Sequence, residues 1–219
     1  MPPLLLLTRP EHASRRFAKQ SAHFGLQTLI SPIVQIVALD FDRALVDGAK
    51  GLVITSENAV PFVAPGRGRP AICVGPRSAE VARAAGFEAV AGPGDAARLM
   101  PMLTGLDQGW VHPHGTHVAK VLPVTGVAVY DQIALDLSPE AQEVLQGNNP
   151  VILPLFSPRS ARLLAAQTGD ARAPLWLVAI SAAAADAWQG RDARLIVAPT
   201  PDAPGILHGI AEMLAAEHS

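Results

Sequence analysis

Five times along this chain a short apolar run stops at a small or hydroxyl-bearing residue and passes straight into a helical pattern. LLLLT leads into RPEHASRRFAKQSAHFG, with Pro10 suited to the first helical position and Gly25 to the residue past the last turn. Phe17 and Phe24 fall seven apart, on one face of that helix. GLVITS leads into ENAVPFV, where Ser56 can cap a short helix. AICVG leads into PRSAEVARAAG, opened by Pro76 and closed by Gly86. VILPLFS leads into PRSARLLAAQTG, with Ser157 as cap, Pro158 next and Gly169 as stop. PLWLVAIS leads into AAAADAWQG, between Ser181 and Gly190. Apolar runs without alternation, separated by helices, predict parallel strands covered on both faces. A set of packed helices is the physical alternative. The short runs and the β-branched content of GLVITS and AICVG disfavour it.

Two segments break the pattern. SPIVQIVALD and VAVYDQIALD both alternate, and the first is flanked by proline. They read as a two-stranded ribbon joining two small α/β lobes, each a parallel sheet with flanking helices. On that reading the first lobe is discontinuous, 1–33 with 138–219, and the second spans 40–127, with connectors at 34–39 and 128–137. SPEAQEVLQG restarts the first lobe with Ser138 as cap, Pro139 as first helical residue and Gly147 as stop.

Hydrophobic residues at 49% and charged residues at 16% describe a globular chain and exclude a disordered one. The run Leu4–Leu7 is far too short to span a bilayer and lacks the basic flank of a signal peptide, so a buried strand is expected. A single cysteine, Cys73, excludes an internal disulfide framework and fits a reducing, cytoplasmic setting. Its apolar neighbours suit a structural thiol. With 17 basic and 19 acidic residues and no basic stripe, a nucleic-acid partner is not expected. No membrane contact is expected either.

Ligands of parallel sheets bind outside the carboxyl ends of the strands, where helix N-termini offer unpaired N–H groups and a partial positive charge. Such ends attract carboxylates or phosphates without any net basic charge. The candidate binding residues are therefore Thr8, Arg9, Thr55, Ser56, Gly75, Ser78, Ser157, Arg159 and Ser181, lining a cleft if the lobes face one another. Each one alone is an ordinary cap; their repetition points to an anion site. No turn has the glycine pattern of a nucleotide loop. His112, His114 and His117 invite a metal, but no cysteine or acidic fourth ligand lies nearby, and none is expected. His112 and His114 share a face if WVHPH is a strand. Tyr130, the only tyrosine, sits in the second connector, where a phenol can act either as a general acid or as packing.

LLLTRP, SPIVQI, LVITSENAV, CVGPRSAEVARAAGF, VYDQI and LFSPRSA, in that order and spacing, resemble the uroporphyrinogen-III synthase family along nearly the whole chain. The resemblance implies two lobes with a discontinuous first one and no cofactor. It implies a substrate, hydroxymethylbilane, a linear tetrapyrrole carrying acetates and propionates. The ring is closed with loss of water and inversion of the last pyrrole, through a spirocyclic intermediate. Tyr130 matches the family tyrosine proposed to assist departure of the hydroxyl group. A monomer is the default expectation, with a transient contact to the substrate-supplying enzyme left open.

The chain departs from the family in three places. ISAAAA stands where the family often has Gly-x-Thr-Thr-Ala, so 181–185 offer backbone donors in place of hydroxyls. Arg159 follows Ser-Pro where many relatives carry serine, and it gains a charge that can meet a carboxylate or point to solvent. His114 precedes Gly115 where relatives often carry a basic residue, which makes it a binding candidate. Two rivals remain. One is a non-catalytic two-lobed binding module for a carboxylate-rich small molecule. The other is a regulatory domain, against which the lack of a helix-turn-helix segment weighs.

Overall fold

Four successive leucines, Leu4–Leu7, form a strand buried on both faces, with Leu5 and Leu7 in one hydrophobic cluster with Phe17. This strand, β1, opens the computed structural model, which describes residues 2–94, 96–118 and 120–216. After it come α1 (Glu11–Ser21), β2 (Thr28–Ile30), β3 (Val34–Ala38), α2 (Arg43–Asp47), β4 (Gly51–Ile54) and α3 (Val60–Val63). Then follow β5 (Pro70–Cys73), α4 (Pro76–Ala84), β6 (Glu88–Ala91), α5 (Ala96–Leu103), β7 (Trp110–Gly115) and β8 (Thr125–Ala134). The chain ends with α6 (Pro139–Leu145), β9 (Val151–Leu155), α7 (Pro158–Gln167), β10 (Leu175–Ala179), α8 (Ala182–Asp186), β11 (Arg194–Val197) and α9 (Ala203–Ala215).

These elements divide into two compact units, Met1–Gln35 with Ala134–Ser219, and Ile36–Ile133. The first holds a five-stranded sheet in the order β11-β10-β9-β1-β2, parallel throughout. Its central strands β1, β9 and β10 are buried at every residue, whereas the edge strands β2 and β11 have no fully buried residue. That contrast is the reason the central runs carry no alternation. Pro154 lies in β9 beyond the β1–β9 pairing, which covers Leu4↔Val151 and Leu5↔Ile152, so its missing N–H leaves no gap in that ladder. Phe17 of α1 and Ile206, Ile210 and Met213 of α9 pack with Leu5, Leu7, Ile152 and Val178 in one cluster.

The second unit holds a six-stranded sheet in the order β3-β8-β7-β4-β5-β6. Along β4, Leu52 and Ile54 join one hydrophobic cluster and Val53 the other, so the strand sends alternate side chains to two cores. Pairing is parallel from β8 to β6. At the β3–β8 edge, Leu39 N–H donates to Val129 O and Leu135 N–H to Ile33 O, so the partner number falls as the strand advances and the pair is antiparallel. The two alternating segments thus pair with each other, and their ribbon continues into this sheet through β7. Where the chain returns to the first unit, Gln167 accepts from Leu137 N–H at 2.7 Å and donates to Leu135 O at 3.0 Å. Ser31 Oγ takes the N–H of Ser138 at 2.8 Å.

Caps and stops fall close to their expected places. Pro76, Pro139 and Pro158 open their helices behind Gly75, Ser138 and Ser157. Pro10 is the cap residue of α1 and not its first helical residue. Gly25, at φ 66°, closes a 3₁₀ turn over Ala22–Phe24, and Phe24 packs against the same hydrophobic cluster as Phe17.

Gly209 of α9 faces β10 so closely that a Cβ there would meet Val178 Cγ1 at 2.6 Å. Gly209→Ala is expected to overpack this contact and cost about 1–3 kcal/mol, despite the higher helix propensity of alanine. A thermal or urea unfolding midpoint measured beside the parent checks it; an unchanged or higher midpoint contradicts it.

Candidate functional site

An open parallel sheet leaves a crevice at the carboxyl ends of two neighbouring strands whose connections run in opposite directions. In the first unit that point falls between β1, which continues to β2, and β9, which continues to β10 on the other side. Thr8 and Arg9 follow β1, and Ser157 and Arg159 follow β9. The Arg9 guanidinium lies 4.2 Å from the ring centroid of Phe156, a cation–π contact that ties the two turns together. Thr8 is buried, and its carbonyl accepts from Ile33 N–H at 3.1 Å. Ser157 Oγ accepts from Ser160 N–H at 3.1 Å and lies 2.9 Å from Ser160 Oγ, while Ser160 Oγ donates to Ser157 O at 2.9 Å. Arg159 is half-buried in the first turn of α7. Ser181 follows β10, the next strand out, and caps α8 by accepting from Ala184 N–H at 3.3 Å.

In the second unit the reversal falls between β4, which continues to β5, and β7, which continues to β8 on the other side. Here Thr55 Oγ1 lies 2.8 Å from His112 Nε2, so a hydrogen bond joins the end of β4 to β7. His112 is 4% exposed, and its ring centroid lies 4.9 Å from that of His114, on the same face of β7. His114 Nδ1 is 2.7 Å from Gly115 O. Ser56 Oγ accepts from Asn58 N–H at 3.2 Å. Gly75 caps α4 with no side-chain acceptor, and Ser78 is buried in the first turn of that helix. Arg77 beside them is engaged by Glu57 and Glu80, each at 2.8 Å.

Tyr130 lies on the opposite face of this sheet from His112 and His114, in the cluster with Leu52, Ile54 and Val111, and an irregularity sets its place. The β7–β8 register pairs His114 with Ala128 but Gly115 with Tyr130, so one residue of β8 is unmatched. A bulge of this kind re-aims the side chains beyond it. The Tyr130 ring then crosses Gly115, where a Cβ would meet its Cε2 at 2.5 Å, and only glycine leaves that space. The ring is 3% exposed and stacks on Phe62 at 5.9 Å between centroids.

The chemistry on offer is hydrogen-bond donation. A serine hydroxyl that accepts from its own helix still carries a proton to donate. Neither α1 nor α4 has a side-chain cap bond at its N-terminus, so their first N–H groups keep their attraction for an anion. Burial pushes the Cys73 thiol up to about 11, so it stays protonated and is a poor nucleophile. Among the described residues, no group of three or more His, Cys, Asp or Glu is placed to hold a metal ion. Also among them, no helix is long and apolar enough to cross a membrane.

The sequence places His112 and His114 on one face, but not the Thr55–His112 bond, which depends on β7 lying beside β4. It also misses Phe62 and Ser160. Helical spacing sets Ser160 near its own cap, the one signal available for it.

Burial, and next the neighbouring His114, push His112 down to about 4. Between pH 6.5 and 4 the unfolded chain binds a proton that the folded chain refuses, so stability falls as pH falls through this window. At the lower end the deficit from this group is about 3 kcal/mol. In His112→Gln the fall in urea midpoint between pH 7 and pH 4.5 is expected to be smaller than in the parent. An equal fall in both proteins contradicts it.

Comparison with known proteins bears on what this arrangement serves. The family model described as Uroporphyrinogen-III synthase HemD matches residues 15–208. The uroporphyrinogen-III synthetase of Helicobacter pylori 26695 superposes with a TM-score of 0.65 at 14% identity, covering 98% of this chain and 100% of that one. A mutant uroporphyrinogen III synthase of Thermus thermophilus superposes with a TM-score of 0.52 at 15% identity, covering 97% and 99%. A sequence comparison with curated proteins finds no match. At these identities the structural likeness shows the fold, and the family match covers most of the chain. The chain belongs to the uroporphyrinogen-III synthase HemD family.

Proposed function

We propose that this chain closes hydroxymethylbilane to uroporphyrinogen III, with loss of water and inversion of the last pyrrole ring. The family match over residues 15–208 is the observation that carries the reading. The geometry supports it chemically. A substrate bearing many carboxylates needs many donors, and this chain has a net charge of −2, so bulk positive charge does not supply them. The uncapped N-termini of α1 and α4 supply backbone donors instead, with Thr55, Ser56, Ser157 and Ser181 hydroxyls beside the strand ends. Around 181–185 the alanines leave Ser181 and the backbone as the donors.

The chemical task is selection between two closures. Left to itself the linear tetrapyrrole closes without inverting its last ring, so the protein must favour the geometry that leads through the spirocyclic intermediate. That is catalysis by orientation, with binding energy from the remote carboxylates fixing the reacting ends. Tyr130 is proposed to donate a proton to the departing hydroxyl. The hydroxyl leaves spontaneously in solution, so this help is an increment and not the whole rate.

Two outcomes are expected from an assay with freshly generated hydroxymethylbilane and separation of the isomeric products. The parent protein gives uroporphyrinogen III, and Tyr130→Phe gives the same isomer at a rate lowered by at most about 100-fold, the low end of general-acid contributions. Only the uninverted isomer, at any protein concentration, overturns the synthase reading. Tight binding of the substrate without turnover supports the binding-module alternative.

A further inference from the structure

We propose that His112 is a positioning residue for the substrate site, holding its Nε2–H tautomer so that it donates to Thr55 Oγ1 and leaves the Thr55 proton for a substrate carboxylate. The inference rests on the functional reading above and adds a residue to the same site.

Four observations carry it. The Nε2···Oγ1 distance of 2.8 Å is that of a well-formed hydrogen bond. The bond spans β4 and β7, where the connections of this sheet reverse direction and where open parallel sheets bind ligands. His112 is buried with the His114 ring beside it, and burial first, then that neighbour, disfavours a proton on both of its nitrogens. Thr55 is partly exposed directly after β4, and a hydroxyl that makes one hydrogen bond to the histidine keeps the capacity for another to a ligand.

Proton bookkeeping then separates two arrangements. A threonine hydroxyl has one proton and two lone pairs, and a neutral imidazole has one donor and one acceptor nitrogen. If Nε2 were the acceptor, Thr55 would spend its proton on the ring and present lone pairs to the ligand, which repels a carboxylate. If Nε2 carries the hydrogen, Thr55 accepts from the ring and donates outward, which suits a carboxylate. The Nε2–H form is also the intrinsically favoured tautomer of a free imidazole side chain. Protonated His112 would preserve the donor, but burial beside His114 disfavours that form. The buried ring therefore fixes the direction of one hydroxyl without bringing a charge to it.

Two measurements test this, and they fail separately from the functional reading. Long-range ¹H–¹⁵N correlation spectra of the uniformly labelled parent protein at pH 7.5 read the His112 tautomer directly and need no activity. A protonated Nε2 with an unprotonated Nδ1 is expected; the Nδ1–H tautomer, or a doubly protonated ring, overturns the proposal. The second measurement is a double-mutant cycle on the KM for hydroxymethylbilane. Thr55→Val and His112→Phe are each expected to raise KM about tenfold, the range of one hydrogen bond to a charged group. Their combination is expected to raise it no further than either alone, because both remove the same oriented proton. His112→Gln, whose amide can place a donor near the Nε2 position, is expected to stay within about threefold of the parent. A merely structural histidine makes the two effects multiply and gives no rescue by glutamine, and either result overturns the proposal. If the parent protein forms no uroporphyrinogen III, the functional reading falls while the tautomer measurement still decides the hydrogen bond.

Discussion

Parallel pairing of strands buried on both faces is the constraint from which the rest of this protein follows. β1, β9 and β10 in the first unit and β4 in the second are buried at every position, so their sequences carry no polar residue until the strand ends. The parallel connections β1–β2, β9–β10, β10–β11, β4–β5 and β5–β6 each leave from the carboxyl edge and cross the sheet through a helix. The first polar residues of each connection, and the unpaired N–H groups of each helix, collect along that edge. An edge of unpaired donors, of the kind anions favour, is a by-product of the pairing, present before any side chain is selected for binding.

Selection acts on the details of that edge. In the first unit Arg9 lies over Phe156, which places a guanidinium where two connections part. In the second, a bulge in β8 and the missing Cβ of Gly115 let the Tyr130 ring cross β7, and His112 holds Thr55 at the end of β4. Charges close to the edge are engaged elsewhere: Arg77 is paired with Glu57 and Glu80. What remains is a set of oriented neutral donors with few mobile cations, a composition that favours shape selection over non-specific attraction.

Much of the fold was legible in the sequence because burial and capping leave local marks. Unbroken apolar runs announce central parallel strands, and Ser-Pro or Gly-Pro pairs announce helix starts, as at Ser157–Pro158 and Gly75–Pro76. The alternation of SPIVQIVALD and VAVYDQIALD marks a pair with a less buried face, and β3 and β8 are neighbours. The candidate site was legible only to the level of turns. Thr55 and His112 are 57 positions apart, and no local pattern says that β7 lies beside β4. The bulge at Tyr130 leaves no compositional mark either, because an extra residue in one strand is visible only against its partner. Pro10 shows a smaller limit of the same kind: proline suits both the cap and the first helical position, and the structure takes the cap.

On the proposed function, the carboxyl edges of both sheets, through their backbone donors, take the substrate's carboxylates. Amide chemical-shift mapping during a titration with uroporphyrinogen III under reducing conditions tests it most directly. Shifts are expected to concentrate in the first turns of α1, α4 and α7 and at Thr55 and Ser56, with the opposite strand ends undisturbed. Shifts confined to the opposite ends, or spread evenly over the surface, would contradict it.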